Sequence, residues 1–244
     1  MHLWIGFAYP GDDTTMKKLA LACAAVCAAP AAFAWGTEGF DDITTLVGNG
    51  WNMQNLSNPI GTTNWFQGNS TVFPSHSGAA TSYIGTNFNN GAGTATLSNW
   101  LLTPVVTLTD GDQMSFWTRT VTANTFPDRL QVRMSTNGSS TNVGASATSV
   151  GDFSTLMLDI NPNYQNGGVY PEVWTQFTVT VSGLGSPTQG RFAFRYFVEN
   201  GGPFGANSNY IGIDTASYTP VPEPATLSVL GLGALAAFAR RRRK

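Results

Sequence analysis

Downstream of Ala34 the chain keeps one histidine, His76, and no cysteine. Nucleophilic catalysis would have to run through His76, in Phe73-Pro74-Ser75-His76-Ser77-Gly78, with a serine as nucleophile and an aspartate to orient the ring. No Gly-x-Ser-x-Gly elbow accompanies it. A lone histidine in a Gly/Ser-rich loop is the ordinary solvated case. Paired carboxylates could cleave a glycoside. The candidates are Glu172 and Glu199, with Asp128, Asp152 and Asp159, and their spacing marks no facing pair. Hard-oxygen ligation is better supplied. Glu38, Asp41 and Asp42 open the domain and Asp214 lies near its end. Where first and last strands are neighbours, these oxygens would gather around a structural calcium ion, although no Asp-x-Asp-x-Asp-Gly loop supports the site independently. No other cofactor is expected. Aromatic and cationic side chains could also hold a ligand. Trp51 and Trp65 offer stacking faces, and Arg119, Arg129 and Arg133 offer forks for the carboxylates of an acidic polysaccharide. The competing use of each tryptophan is core packing.

The elements that would position these groups are strands. No segment between 35 and 220 has a helical period, whereas several alternate with period two. Leu130, Val132 and Met134 oppose Arg129, Gln131 and Arg133. Val173, Phe177, Val179 and Val181 oppose Trp174, Gln176, Thr178 and Thr180. Phe192, Phe194, Tyr196 and Val198 oppose Arg191, Ala193, Arg195 and Phe197. Further strands are predicted over 114–121, 209–218 and 100–108, the last with Pro104 marking a bulge or an edge. Turn signals separate them: Asp110-Gly111-Asp112, Asn137-Gly138, Asn166-Gly167-Gly168, Gly183–Gly185 and Asn200-Gly201-Gly202. Strands at this spacing without intervening helices predict a single all-β, antiparallel jelly-roll sandwich.

Both ends of the chain carry other signals. Met16-Lys17-Lys18, the apolar run 19–29 and Ala32-Phe33-Ala34 form a secretory signal peptide over 1–34, cut by signal peptidase after Ala34, with Met16 an alternative start. Cys23 and Cys27 both lie within it, so packing and not disulfides must hold the 35–220 domain together. That domain has five arginines, no lysine and eleven carboxylates, a formal charge of −6 against −2 for the whole chain. An acidic, lysine-free surface argues against nucleic acid or anionic lipid as a partner. At the other end, Val221-Pro222-Glu223-Pro224 precedes an uncharged stretch over 225–239 and the cluster 240–244 of four arginines and a lysine. Fifteen residues span about 22 Å as a helix, against a hydrocarbon core of roughly 30 Å. This short transmembrane helix reaches further only by snorkelling of its basic end, which also holds that end on the cytoplasmic side.

The tail resembles the PEP-CTERM sorting signal of Gram-negative bacteria. The resemblance implies an inner-membrane stage, an exosortase-type processing enzyme acting near Val221, Pro222, Glu223 and Pro224, and delivery to the cell surface or extracellular matrix. The domain in turn resembles the choice-of-anchor J family, which is related to cleaved-adhesin and MAM-like jelly rolls. The resemblance rests on Trp100-Leu101-Leu102-Thr103-Pro104 and Tyr210-Ile211-Gly212-Ile213-Asp214, with Gly50-Trp51, Asn64-Trp65-Phe66-Gln67-Gly68, Phe116-Trp117-Thr118-Arg119-Thr120 and Arg191-Phe192-Ala193-Phe194-Arg195. Together these imply a non-catalytic, adhesin-like exported protein associated with exopolysaccharide, biofilm or other surface glycans. The alternatives are a carbohydrate-binding module for an acidic polysaccharide and, last, a glycoside hydrolase.

Overall fold

Alternating apolar side chains set thirteen strands into two antiparallel sheets. The computed structural model describes residues 35–221, so the signal segment with Ala32 and Ala34, and the tail from Pro222 onward with Glu223 and Pro224, lie outside the described residues. The strands are β1 (Thr37–Glu38), β2 (Asn52–Asn55), β3 (Asn58–Ile60), β4 (Phe66–Gln67), β5 (Ile84–Asn87), β6 (Gly91–Leu102), β7 (Val106–Leu108), β8 (Gln113–Thr120), β9 (Leu130–Ser135), β10 (Thr155–Ile160), β11 (Thr175–Thr180), β12 (Thr188–Gly201) and β13 (Tyr210–Thr219). One sheet runs β11-β8-β13-β5-β4, with β1 also on β13. The other runs β10-β9-β12-β6-β2, with β3 on β6 and β7 on β12. The all-β sandwich expected from the sequence is the fold observed. Among the described residues no helix is long and apolar enough to cross a membrane.

The core lies between the sheets. Phe116 on β8 meets Phe194 on β12 edge-to-face at 4.9 Å. Leu101, Leu130, Val132, Tyr196, Ile211 and Ile213 are all completely buried around them. Each such side chain contributes about 1.5–3 kcal/mol by leaving water. Trp51 and Trp65 join this core at 3% and 5% exposure. On β13 the alternation breaks between Asp214 and Ser217, where the register shifts and Thr215 takes φ 48. This bulge keeps Ala216 and Tyr218 on the core side reached by Ile211 and Ile213, although they are one residue out of phase with them.

Pro104 ends a strand instead of bulging within one. Thr103 still donates its N–H to Phe192 O, but Pro104 has no N–H to continue. β7 then resumes against a lower part of β12, with Thr188 opposite Leu108. The outer face of the larger sheet is covered as well. The 136–154 segment lays Val143 and Phe153 over Trp100, Leu102 and Ala193. Asp152 braces this segment by accepting from Asn137 Nδ2 at 2.8 Å and Ser140 Oγ at 2.5 Å. Gly151, at φ 50, lies so close to Asn142 that a Cβ would sit 2.2 Å from its carbonyl oxygen.

Candidate ligand-binding face

With Leu130, Val132 and Met134 turned inward on β9, Arg129, Gln131 and Arg133 point outward. With Phe192, Phe194 and Tyr196 inward on β12, Arg191 and Arg195 point the same way. Four of the domain's five arginines thus share the outer face of the larger sheet. Pairing places Arg195 and Asp159 on either side of Gln131. Arg129 grips Asp159 with both prongs, Nε–Oδ1 at 2.8 Å and Nη2–Oδ2 at 2.6 Å. That carboxylate holds the Arg129 guanidinium above its ordinary pKa. Glu199 lies 3.8 Å from Arg129 Nη1.

The other cations on this face have no such partner among the described residues. Arg195 is 1% exposed and lies between the rings of Trp100 and Phe197, 4.7 and 4.0 Å from their centroids. It donates to Ser98 Oγ at 3.0 Å, Gln131 Oε1 at 3.3 Å and Ala147 O. Burial first, then the charges of Arg133 and Arg129, pull its pKa down to about 9. Arg133 donates to Gln131 Oε1 at 2.9 Å and Phe153 O at 3.3 Å, and burial lowers its pKa too. Arg191 reaches Gly50 O at 2.8 Å, while its buried Nε has no partner. Inside an acidic domain this face is therefore locally positive, with Tyr164 and Phe197 beside the cations. Of these guanidinium groups Arg133 alone is part-exposed with a nitrogen, Nη2, that bonds to nothing among the described residues, so it is the donor that an incoming carboxylate or sulfate could meet.

The remaining candidates are placed elsewhere. Arg119 lies on the opposite sheet, 4.5 Å over the Phe73 ring, and donates to Glu172 O. It does not join Arg129 and Arg133. Trp51 and Trp65 are core residues, so neither ring face is open to a sugar and the stacking role expected for them is corrected. His76 is exposed and stacks on Trp117 at 3.8 Å, with Nδ1 3.2 Å from Thr215 Oγ1. Asp214 accepts the backbone N–H of His76 at 2.8 Å instead of orienting its ring, so no catalytic triad is assembled. Glu172 caps the 122–124 turn through Ala123 N at 2.9 Å and Asn124 N. Asp128 is fully enclosed, accepting from Tyr196 Oη, Asn209 N, Thr120 Oγ1 and Asn124 Nδ2 at 2.5, 2.8, 2.6 and 3.0 Å. Burial raises its pKa and these bonds, Asn209 N foremost, oppose the rise.

β1 does pair with β13, as the calcium reading requires. Three of the four carboxylates nevertheless have separate duties. Glu38 accepts from Phe40 N, Asp42 caps the 43–45 turn through Thr44 N, Asp41 lies beside Gly78, and Asp214 holds His76 N and Ser77 N. Among the described residues no three Asp, Glu, His or Cys side chains are grouped to hold a metal ion. Val221 is placed at the edge of the sandwich, its N–H donating to Asp112 Oδ1 at 2.8 Å. Sequence reasoning put Arg195 on the polar face of its strand and Asp112 in a turn, but it did not foresee Gln131 lying between Arg195 and Asp159, or the hold of Asp112 on Val221.

Residues 220–244 match the PEP-CTERM protein-sorting motif. No curated protein matches the chain. The sandwich is similar to the K1 cleaved adhesin domain of Lys-gingipain from Porphyromonas gingivalis W83, at 20% identity and TM-score 0.51, over 76% of this chain and 98% of that one. The K3 domain of the same protein aligns at 18% identity and TM-score 0.49, over 77% and 98%. A xylan-binding CBM22-1 domain from Paenibacillus barcinonensis Xyn10C aligns at 11% and 0.41, over 80% and 100%. The fold class is thus a cleaved-adhesin-like β-sandwich. This particular chain joins that sandwich directly to a PEP-CTERM sorting motif.

Proposed function

We propose that this chain is a non-catalytic exported protein of the cell surface or extracellular matrix. In this reading signal peptidase removes residues 1–34, and the sandwich over 35–220, of choice-of-anchor J type, is the working module. An exosortase-type enzyme then reads the 221–244 tail, held for a time in the inner membrane. The product is retained among exopolysaccharide in a biofilm or on the surface. The observation that carries the reading is the match of residues 220–244 to the sorting motif, placed directly after the last strand of the sandwich. The use of Asp128, Asp214, Glu172 and His76 as structural partners supports a role without catalysis. Intact-mass measurement of the exported protein in its native host tests it. A new C-terminus near 222–224 is expected, and an unprocessed arginine end would refute it.

A second reading is favoured by the arginine face. Arg133, with Arg195 and Gln131 behind it and Tyr164 nearby, would bind the acidic groups of a uronate-bearing or sulfated polysaccharide. Retention of the mature protein on such polymers, falling as salt rises, is the expected result. Equal retention on neutral glycans would remove the role of the arginines.

A further inference from the structure

Both ends of the described domain leave it at the same place. Antiparallel pairing sets Thr37 opposite Ser217, and Tyr218 N donates to Gly36 O at 3.0 Å. Trp35 packs edge-on against Trp51 at 5.1 Å. Beside them the β7–β8 turn holds Asp112, a carboxylate that is 1% exposed. Its Oδ2 accepts from Thr109 N at 2.7 Å and from Tyr218 Oη, and its Oδ1 accepts from Val221 N. The turn is fixed in its own right: Gly111 N donates to Val181 O and Val181 N to Asp112 O, both at 2.8 Å. Gly111, at φ 96, leaves the space into which Val221 packs, since a Cβ there would lie 2.8 Å from Val221 Cγ2. The first residue of the Val-Pro-Glu-Pro element is therefore part of the folded domain. Only Pro222, Glu223 and Pro224 separate it from the uncharged stretch, and three extended residues reach about 10 Å.

We infer that the end of the sandwich formed by Trp35–Gly36, Asp110–Asp112 and Pro220–Val221 is the face turned toward the membrane-embedded processing enzyme, and that the Asp112 clamp withholds the start of the sorting motif until it opens. The inference rests on the reading of 221–244 as a processed tail. Val221 keeps 44% of its surface exposed, so it is the bond from its N–H to the buried Asp112 carboxylate that keeps an enzyme taking its substrate as an extended strand from engaging it. Losing one charge-assisted hydrogen bond from the closed state shifts such an equilibrium about ten- to a hundredfold. Opening thus sets the rate at which the domain is released.

The test uses the full chain in a host that carries the processing enzyme, with processing followed by pulse-chase and intact mass. Asp112→Ala removes the clamp. Insertion of six Gly/Ser residues after Thr219 leaves Asp112 and the 220–244 motif intact and carries Val221 out of reach of the clamp. Both variants are expected to be processed about tenfold faster than the native chain, a shift of the size that one charge-assisted bond supports. On the exported protein, amide exchange at Val221 is expected to be slow in the native sequence and fast in Asp112→Ala. The insertion variant keeps the domain sequence, so it remains decisive if Asp112→Ala fails to fold. Processing of the insertion variant at the native rate overturns the inference and leaves the sorted-tail reading standing. Absence of processing in every version, the insertion variant included, overturns both.

Discussion

Asp128 is the sharpest test of how the sandwich is held at its loop end. It joins β8 through Thr120, the following turn through Asn124, β12 through Tyr196 and the start of β13 through Asn209, with no cation in contact. Truncation to alanine deprives three buried donors, and the half-buried Asn209 N–H, of their acceptor. Two can turn elsewhere, because Thr120 Oγ1 already lies 2.9 Å from Tyr210 O and Asn124 Nδ2 lies 2.9 Å from Phe126 O. Tyr196 Oη and Asn209 N have no such alternative. At about 1–3 kcal/mol for each orphaned donor, Asp128→Ala should cost roughly 2–6 kcal/mol. Asp128→Asn keeps one acceptor for Tyr196 and Asn209, and its amide can donate to Thr120 Oγ1. Only the contact with Asn124 sets donor against donor, so the cost should be about 1–3 kcal/mol.

The pH dependence has a definite sign. Burial raises the pKa of Asp128 in the folded state above its unfolded value. Its contribution is therefore complete below the unfolded pKa, about 3.9, and declines as pH rises through the folded value. Asparagine has no such decline. The penalty of Asp128→Asn should accordingly be larger near pH 4 than at pH 7. Urea unfolding of the mature sandwich at both pH values measures all of this. Equal costs for alanine and asparagine, or an asparagine penalty that grows toward neutral pH, would refute the reasoning.

Other expectations follow from the same geometry. Gly151→Ala should loosen the 136–154 cover, since the new methyl meets Asn142 O at 2.2 Å and φ is positive; a loss above about 1 kcal/mol and greater quenching of Trp100 fluorescence by acrylamide are expected, and an unchanged melt would count against a fixed cover. Arg133→Ala should abolish retention on acidic polysaccharide while lowering stability by no more than about 1 kcal/mol, as Arg133 has no carboxylate partner; undiminished retention would move the binding surface elsewhere. Neither calcium nor a chelator should move the melting transition, because Glu38, Asp41, Asp42 and Asp214 are not gathered around one point; a clear rise with calcium would restore the ion.

The strands were legible where one face is aliphatic or aromatic and the other polar, as on β8, β9, β11 and β13. β12 was equally plain, although its second face is buried too: Ala193, Arg195 and Phe197 lie beneath cover or between rings. That cover could not be read beforehand. The 136–154 segment is rich in Ser, Asn and Gly, has no period, and packs through a few isolated apolar residues such as Val143 and Phe153. The first half of β6, Gly91–Thr96, is composed of small residues, and β10 carries a register shift between Leu156 and Leu158, so neither showed a clean alternation. The two uses of Trp51 and Trp65, core packing and a ligand platform, could not be separated by composition, which does not distinguish a ring inside the core from one outside. The alternation pointed to arginines on a polar strand face, and strand pairing shows that Arg129, Arg133, Arg191 and Arg195 share it while Arg119 does not. Asp112 looked like a turn residue, and it is one. Its hold on Val221 depends on two strand ends 109 residues apart in sequence.

The place of β13 has a mechanical consequence. It is the middle strand of its sheet, bonded to β8 on one side and β5 on the other, and the chain beyond Val221 continues directly from it. Suppose a load is applied through that continuation while the far loop around Phe126, which follows β8, is gripped. The pull then runs along the strand, and its lateral hydrogen bonds, which lie across the strand direction, must yield together in shear. The same strand pulled together with its neighbour β1, from the shared end, would peel one bond at a time. A domain tethered through its C-terminal side and engaged at the opposite loops is thus set to resist drag, whatever it holds.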